Sequence, residues 1–172
     1  LVAPNVFPSE IKTVDWLNTV RDLQRANMNM VRIWAGGVYP PEAFFTACDT
    51  AGIMVWQDLM FASLVPAPTD YTFKSTPGER NFRDNALSEV DYIGQYASLH
   101  PSVVHWCGNN ELEVAWRNWG WQDRYGIHTT DSVRVANGQA EFFSQSIPNA
   151  NPGLSYTPTS PLSNWGNAEG LK

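Results

Sequence analysis

The sequence predicts an α/β protein built on a parallel sheet, and three observations predict it. Short β-branched and aromatic runs alternate with amphipathic helical patterns along the whole chain, polar and aromatic residues crowd the ends of the runs, and no short-period repeat or low-complexity segment interrupts the order. Strands alternating with helices in this way lie parallel, because each helix carries the chain back across the sheet.

The first helix is predicted around residues 13–27, with Thr13 as a possible N-cap, Trp16, Leu17, Val20 and Leu23 as its apolar stripe, and Asn27 closing it. Met30-Val31-Arg32-Ile33-Trp34, bounded by Gly36-Gly37, reads as a strand ending in a loop. Pro40-Pro41 can open a second helix, whose stripe is Phe44, Ala47, Cys48 and Ala51 and whose left-handed terminator is Gly52. Ile53-Met54-Val55-Trp56 follows as a second strand, running into Gln57-Asp58.

A Pro- and Thr-rich stretch from about Phe61 to Pro77 is too long for a connector and is a candidate for function. From Gly78 to Leu99 the pattern is helical, with Phe82, Ala86, Leu87, Val90, Ile93 and Ala97 on one side and Glu79 and Arg83 on the other, and His100-Pro101 ends it. Val103-Val104-His105-Trp106-Cys107 is the third strand, followed by Gly108-Asn109-Asn110-Glu111 and a Trp-rich stretch through Trp121. A helix over about Asp131 to Gln145 and a short strand, Leu154-Ser155-Tyr156-Thr157, complete the series.

An open doubly wound sheet and a (β/α)8 barrel both fit this order. No Gly-x-Gly-x-x-Gly follows a strand and no phosphate loop occurs, whereas polar residues gather at strand ends, where barrel enzymes keep their chemistry. A barrel of about 250 residues has eight strand-helix units, and four strands are legible here.

Composition excludes several function classes. With 43% apolar and 13% aromatic residues the chain can bury a substantial core, so disorder, collagen and coiled coil are ruled out. Eight Trp, six Tyr and eight Phe exceed the needs of a core this size and point to a binding surface. A net charge of -6 without a Lys/Arg cluster argues against a nucleic-acid partner. No stretch reaches ~18 uninterrupted apolar residues, so no membrane insertion is expected. Cys48 and Cys107, far apart and set in apolar segments, read as buried free thiols. His100 and His105 show no zinc-site spacing.

Glu111 is the leading candidate for chemistry. A carboxyl at the end of an apolar strand, preceded by two Asn and set among Trp residues, would be partly desolvated, which suits a general acid at neutral pH. It would equally serve to cap the following helix or pair with an Arg. Arg32 and Asp58, near the ends of neighbouring strands, can form a charge pair that orients the acid or binds substrate, or one that is simply structural.

Asn27 to Trp34, Cys48-Asp49, Gly52 to Asp58, and His100 to Val104 through Gly108-Asn109-Asn110-Glu111 closely resemble the β-mannosidases of glycoside hydrolase family 2, over nearly all of the chain. The Gly-Asn-Asn-Glu form after Trp-Cys is what marks the mannosidase branch within that family. The resemblance implies a (β/α)8 barrel, of which residues 1–172 would supply about strands 2 to 5 with their helices, and a retaining mechanism without a cofactor. Glu111 matches the acid/base. Asn110 matches the amide that binds the sugar hydroxyl next to the anomeric carbon; as a turn residue it would instead bond local backbone. Trp34 and Trp119 match walls of the sugar pocket, Trp165 resembles another rim position, and Trp106, Trp116 and Trp121 stay open.

The implied substrates are mannose-containing oligosaccharides, cleaved from their non-reducing end. The family's nucleophilic Glu sits in a Ser-Glu-Tyr-Gly type motif that does not occur here, and Glu169, in Asn-Ala-Glu-Gly, does not match it. The chain is therefore expected to be part of a longer protein, truncated at both ends, whose partners are the remaining barrel strands and the β-sandwich domains. With two open sheet edges it is expected to be inactive alone. The alternatives are another family 2 exo-glycosidase, acting on a β-galactoside, β-glucuronide or β-glucosaminide, and a non-catalytic carbohydrate-binding piece.

Overall fold

In a computed structural model, residues 1–5, 7–63, 82–128, 136, 137, 139, 141–147 and 155–162 are described. The elements are helix α1 (Thr13–Arg25), strand β1 (Met30–Ile33), α2 (Glu42–Ala51), β2 (Met54–Asp58), α3 (Phe82–Ala97), β3 (Val103–Cys107), α4 (Leu112–Asn118), α5 (Trp121–Arg124) and β4 (Tyr156–Thr157). The strands form a four-stranded sheet in the order β1-β2-β3-β4, every pair parallel. Such a sequential order has no switch point, unlike a doubly wound sheet. The α/β expectation is borne out, although the four strands do not close into a barrel.

Helix α1 is set by its ends. Lys12, not Thr13, is the N-cap: its backbone N–H donates to Asp15 Oδ2 at 2.8 Å, so the carboxylate three residues into the helix supplies the cap that Thr13 was expected to give. Asn27 closes the helix as read, in the left-handed conformation (φ 55°), with Met28 N–H donating to Leu23 O and Asn27 N–H to Gln24 O, both 3.0 Å. Gly52 ends α2 at φ 68°, where a side chain would be strained.

One face of the sheet is packed. Val31, Ile33 and Val55 point into a core with Trp16 and Val20 of α1, Phe44, Phe45 and Cys48 of α2, and Val90 and Ile93 of α3. Trp16 meets Phe44 edge-on at 5.4 Å. Leu17, read as part of the α1 stripe, is exposed, whereas Phe45, absent from the α2 stripe, is fully buried. The two Cys are buried and free. Among the described residues no helix is long and apolar enough to cross a membrane.

Strand β2 runs two residues further than its apolar run, through Gln57 and Asp58, and β1 stops one residue short of Trp34. The extension is possible because Asp58 meets its countercharge inside the sheet, as described below. Of the stretch from Phe61 to Pro77, residues 64–77 lie outside the described residues, as do most of 131–140 in the helix read over Asp131 to Gln145; Phe142–Ser146 within it forms a π-helical turn. Arg83, on the outer side of α3, pairs with Glu141 through two hydrogen bonds, at 2.6 and 2.9 Å.

Two motif pieces far apart in sequence meet at the start of β3. Asp49 Oδ2 lies 2.6 Å from His100 Nδ1, and Asp49 Oδ1 accepts the Ser102 N–H at 2.9 Å. Burial by itself would raise the Asp49 carboxyl, but the hydrogen bonds from Ser102 and His100 outweigh it and hold the group below the usual carboxylate range. A lowered folded-state value means stability that is present above the unfolded value of about 3.9 and is lost as the pH falls through the folded one. Asp49→Asn in the full-length protein is expected to cost about 1.5–3 kcal/mol at pH 7. In urea titrations the gap from wild type should shrink below about pH 4; a gap independent of pH would contradict the charged role of Asp49.

Candidate active site

The face of the sheet opposite the helices carries the polar residues. Alternation along the strands places Arg32 of β1, Trp56 and Asp58 of β2 and His105 and Cys107 of β3 on that face, with Trp56 opposite His105 and Asp58 opposite Cys107 in the ladder. At the C-terminal ends of the strands Trp56, Asp58 and Arg32 join Asn110 and Glu111 in one hydrogen-bonded chain.

Asp58 is fully buried. Its Oδ1 accepts Arg32 Nε at 3.1 Å and the Trp56 indole N–H at 2.9 Å. Its Oδ2 accepts Arg32 Nε at 3.0 Å, Arg32 Nη2 at 2.7 Å and the Ala35 N–H at 3.2 Å. A buried carboxylate with this many donors has its desolvation offset, which is why an acidic residue can end a buried strand. Arg32 then reaches across β2: its Nη2 donates to Asn110 Oδ1 at 3.0 Å, and Asn110 Nδ2 donates to Glu111 Oε2 at 3.0 Å. The amide orientation is chemically determined, because a guanidinium can only donate and the opposite flip would face Asn110 nitrogen against it.

The loop bearing Glu111 is clamped on both sides. Asn110 N–H donates to Phe61 O at 2.9 Å, Glu111 N–H to Ser160 O at 2.9 Å, and Ser160 N–H to Asn109 O at 3.0 Å. Asn109, which the sequence reading left without a role, caps α4: its Oδ1 accepts the Leu112 N–H at 3.1 Å and the Thr159 hydroxyl at 2.8 Å, and its Nδ2 donates to Pro158 O at 2.9 Å. Its place three residues before Leu112, the first residue of α4, is the signal that could have revealed it.

With Asn109 capping the helix, Glu111 is released from that duty. It stands at the N-cap position but makes no side-chain cap bond. Its carboxylate is half-buried and forms no salt bridge with a described residue. Among the described residues Glu111 therefore neither caps the helix with its side chain nor pairs with an Arg. Its backbone is left-handed, φ 65° and ψ 10°, a conformation that costs a non-glycine residue about 1–2 kcal/mol and that clusters at functional sites. Asn110 likewise bonds side chains rather than the local backbone of a turn.

Gly108 makes the clamp possible. A Cβ at this position would collide with the Tyr156 hydroxyl and approach Pro158 O to 2.5 Å. Gly108→Ala is expected to push the 156–160 segment away from Asn109 and Glu111, lowering the thermal midpoint and turnover together. Unchanged values of both in the full-length protein would show that the clamp yields without cost.

The aromatic candidates divide. Trp34 is half-buried and its ring lies over Gly36, where a Cβ would overlap it. Trp119 is 49% exposed at the far end of α4, about 12 Å along the helix axis from Glu111. Trp106 and Trp116 are buried. Trp165 lies outside the described residues. Below the site, His105 has Ser155 Oγ at 2.9 Å from Nδ1 and Thr157 Oγ1 at 3.1 Å from Nε2, and burial lowers its pKa against the opposing pull of Asp58. Burial pushes the Cys107 thiol up to about 11, and Asp58 adds to the effect. Among the described residues no three His, Cys, Asp or Glu side chains are grouped so as to hold a metal ion.

The parallel sheet of sequential strands is an arrangement this chain shares with glycosidases of known structure. It matches a β-D-mannosidase from Dictyoglomus thermophilum over 95% of its length and 18% of that chain, at TM-score 0.70 and 28% identity. A Bacteroides uniformis β-glucuronidase matches over 85% of this chain and 16% of its own at TM-score 0.60, and at 17% identity that likeness speaks for the fold alone. In sequence the similarity is narrower and is to β-mannosidases. The rat β-mannosidase is 46% identical over 95 residues, 55% of this chain and 10% of the rat protein, and the Bos taurus β-mannosidase 43% identical over 98 residues, 57% and 10%. The chain thus spans about a tenth of the length of these relatives. No family model matches it. The resemblance drawn from the sequence motifs is borne out by these relatives.

Proposed function

We propose that this chain is a catalytic segment of a retaining exo-β-mannosidase of glycoside hydrolase family 2, supplying about strands 2 to 5 of a (β/α)8 barrel. In this reading Glu111 is the general acid/base. It protonates the leaving glycosidic oxygen while a second carboxylate, about 5–5.5 Å away and contributed from outside these residues, attacks the anomeric carbon. Glu111, now ionised, then takes a proton from the water that displaces that carboxylate, so configuration is retained. No cofactor takes part.

The observation that carries the reading is the Asn110 Nδ2 bond to Glu111 Oε2, at a strand end of a chain that is similar to β-mannosidases. Oε2 is occupied by the amide, which leaves Oε1 to carry the proton. Asn110 would bind the sugar hydroxyl next to the anomeric carbon, a contact that strengthens in the transition state. Arg32 and Asp58 orient that amide, Trp34 and Trp119 would offer ring faces to the apolar side of the pyranose, and Trp165 is assigned to the rim on the resemblance alone. The substrates are mannose-containing oligosaccharides, and the remaining strands and β-sandwich domains belong to the rest of the polypeptide.

A panel of nitrophenyl glycosides, assayed with the full-length protein, tests the sugar. The β-mannoside should be turned over far faster than the β-galactoside, β-glucuronide or β-glucosaminide; preference for one of those would transfer the reading to another exo-glycosidase. No turnover of any glycoside, together with measurable glycan binding, would favour a binding role. Trp119→Ala separates pocket from packing. Loss of an aromatic contact worth about 0.5–1.5 kcal/mol corresponds to a KM raised about 2- to 12-fold. Stability should stay within about 0.5 kcal/mol because the side chain is half exposed. A fall in stability at constant KM would make Trp119 structural.

A further inference from the structure

The Trp56 ring, inside the motif Gly52 to Asp58 but without a role in the site so far, touches three parts of it. Its indole N–H donates to Asp58 Oδ1 at 2.9 Å, the Arg32 guanidinium carbon lies 5.2 Å from its ring centroid, and the His105 ring meets it edge-on at 4.7 Å and 75°. His105 is itself held through both ring nitrogens by Ser155 and Thr157. The indole is therefore wedged between a fixed imidazole and a guanidinium, with its one polar atom on the carboxylate that the guanidinium grips.

We propose that Trp56 is a positioning residue for the acid/base: by fixing Asp58 and Arg32 together it aims the Asn110 amide, and through it the Glu111 carboxylate. This rests on the proposed function for the acid/base role of Glu111 as well as for the sugar. The geometric argument is that Asp58 offers Arg32 two oxygens, and the guanidinium can slide between them unless another donor fixes the carboxylate plane. Trp56 Nε1 is the side-chain donor that does so on Oδ1, and the Ala35 N–H is the backbone donor on Oδ2. If the plane turns, Arg32 Nη2 leaves Asn110 Oδ1, the amide is free to rotate, and Glu111 Oε2 loses its partner. The Glu111 proton then points away from the leaving oxygen. Misplacement on this scale can cost about 100-fold in rate.

The test is the dependence on the leaving group. Trp56→Phe removes the N–H while keeping a ring beneath Arg32. In the full-length protein its turnover of β-1,4-mannobiose should fall about 10- to 100-fold, with KM little changed. The kcat/KM for dinitrophenyl β-mannoside, which reports the first step alone and whose leaving group needs no proton, should fall less than about threefold. Trp56→Tyr, which can offer an O–H to Asp58, should recover part of the loss and carries the same comparison if the Phe variant does not fold. Equal losses on the two substrates, or none on either, would overturn the proposal and leave Trp56 as packing. If the wild type prefers another β-glycoside, the sugar assignment fails and the comparison is made with that sugar. If it cleaves none, a crystal structure of Trp56→Phe still decides, since an Arg32–Asn110 contact kept at hydrogen-bond distance overturns the positioning role.

Discussion

Glu111→Ala in the full-length protein is expected to lower hydrolysis of unactivated β-mannosides by about 10²–10⁴-fold, the usual contribution of a positioned general acid. The loss should depend on the leaving group. A dinitrophenolate departs without protonation, so the first step on dinitrophenyl β-mannoside should be nearly intact, and the glycosyl-enzyme should accumulate because no base remains to activate water. Azide, which needs no such activation, should then restore turnover and yield β-mannosyl azide. The change removes a half-buried side chain and its bond from Asn110 Nδ2, and it leaves the clamp on the loop in place, because that clamp is made by backbone groups and by Asn109. Replacing Glu111 should accordingly leave the thermal midpoint close to wild type. Alanine accepts the left-handed backbone no better than glutamate does, so the strain is unchanged. Activity equal to wild type on both activated and unactivated mannosides would make Glu111 structural, and α-mannosyl azide as product would refute retention.

The parts of the fold that the sequence made legible are those fixed by local chemistry. Strand β3 is read to the residue because its apolar run is closed off by Pro101 on one side and Gly108 on the other. Helix α2 is framed by Pro41 and by a glycine that takes the left-handed terminator. The errors lie where distant residues intervene. Asp58 continues β2 only because Arg32, 26 positions earlier, meets it in the sheet. Single-segment periodicity treats that Asp as the beginning of a loop. The left-handed backbone at Glu111 depends on the Ser160 carbonyl, which no local pattern announces. In the site, Arg32, Asp58 and Glu111 were nameable from their positions at strand ends and Asn110 from the resemblance, but their connection was not. That Asn110 comes within reach of Arg32 at all follows from register, and register between parallel strands is set by packing across the whole sheet. Trp56 escapes such a reading because it acts through Asp58 and Arg32, whereas the cap that Asn109 gives Leu112 is a local signal that the motif Gly108 to Glu111 hides behind Glu111.

Asp58→Ala should be the most damaging single change outside Glu111, and for a different reason. Asp58 has no exposed surface, whereas the Arg32 side chain keeps 32% of its own. Removing the carboxylate leaves a guanidinium partly desolvated and strips the Trp56 and Ala35 N–H groups of their acceptor. Breaking a buried pair from one side typically costs about 3–5 kcal/mol, and the residual exposure of Arg32 puts the expected loss near the lower end. Turnover should fall as well, by about 100-fold, because the Asn110 amide loses the group that holds Arg32 against it. The double variant Arg32→Met/Asp58→Leu separates these two consequences. It takes away both charges, so the uncompensated guanidinium disappears and much of the lost stability should return. Turnover should not return, since nothing is left to orient Asn110. If the double variant recovered activity along with stability, the pair would be scaffolding alone and Asn110 would be held by its own loop. If the single variant lost less than about 1 kcal/mol, the Arg32–Asp58 pair would behave as a surface salt bridge does, and the chain of hydrogen bonds from Asp58 to Glu111 would have little hold on the acid/base.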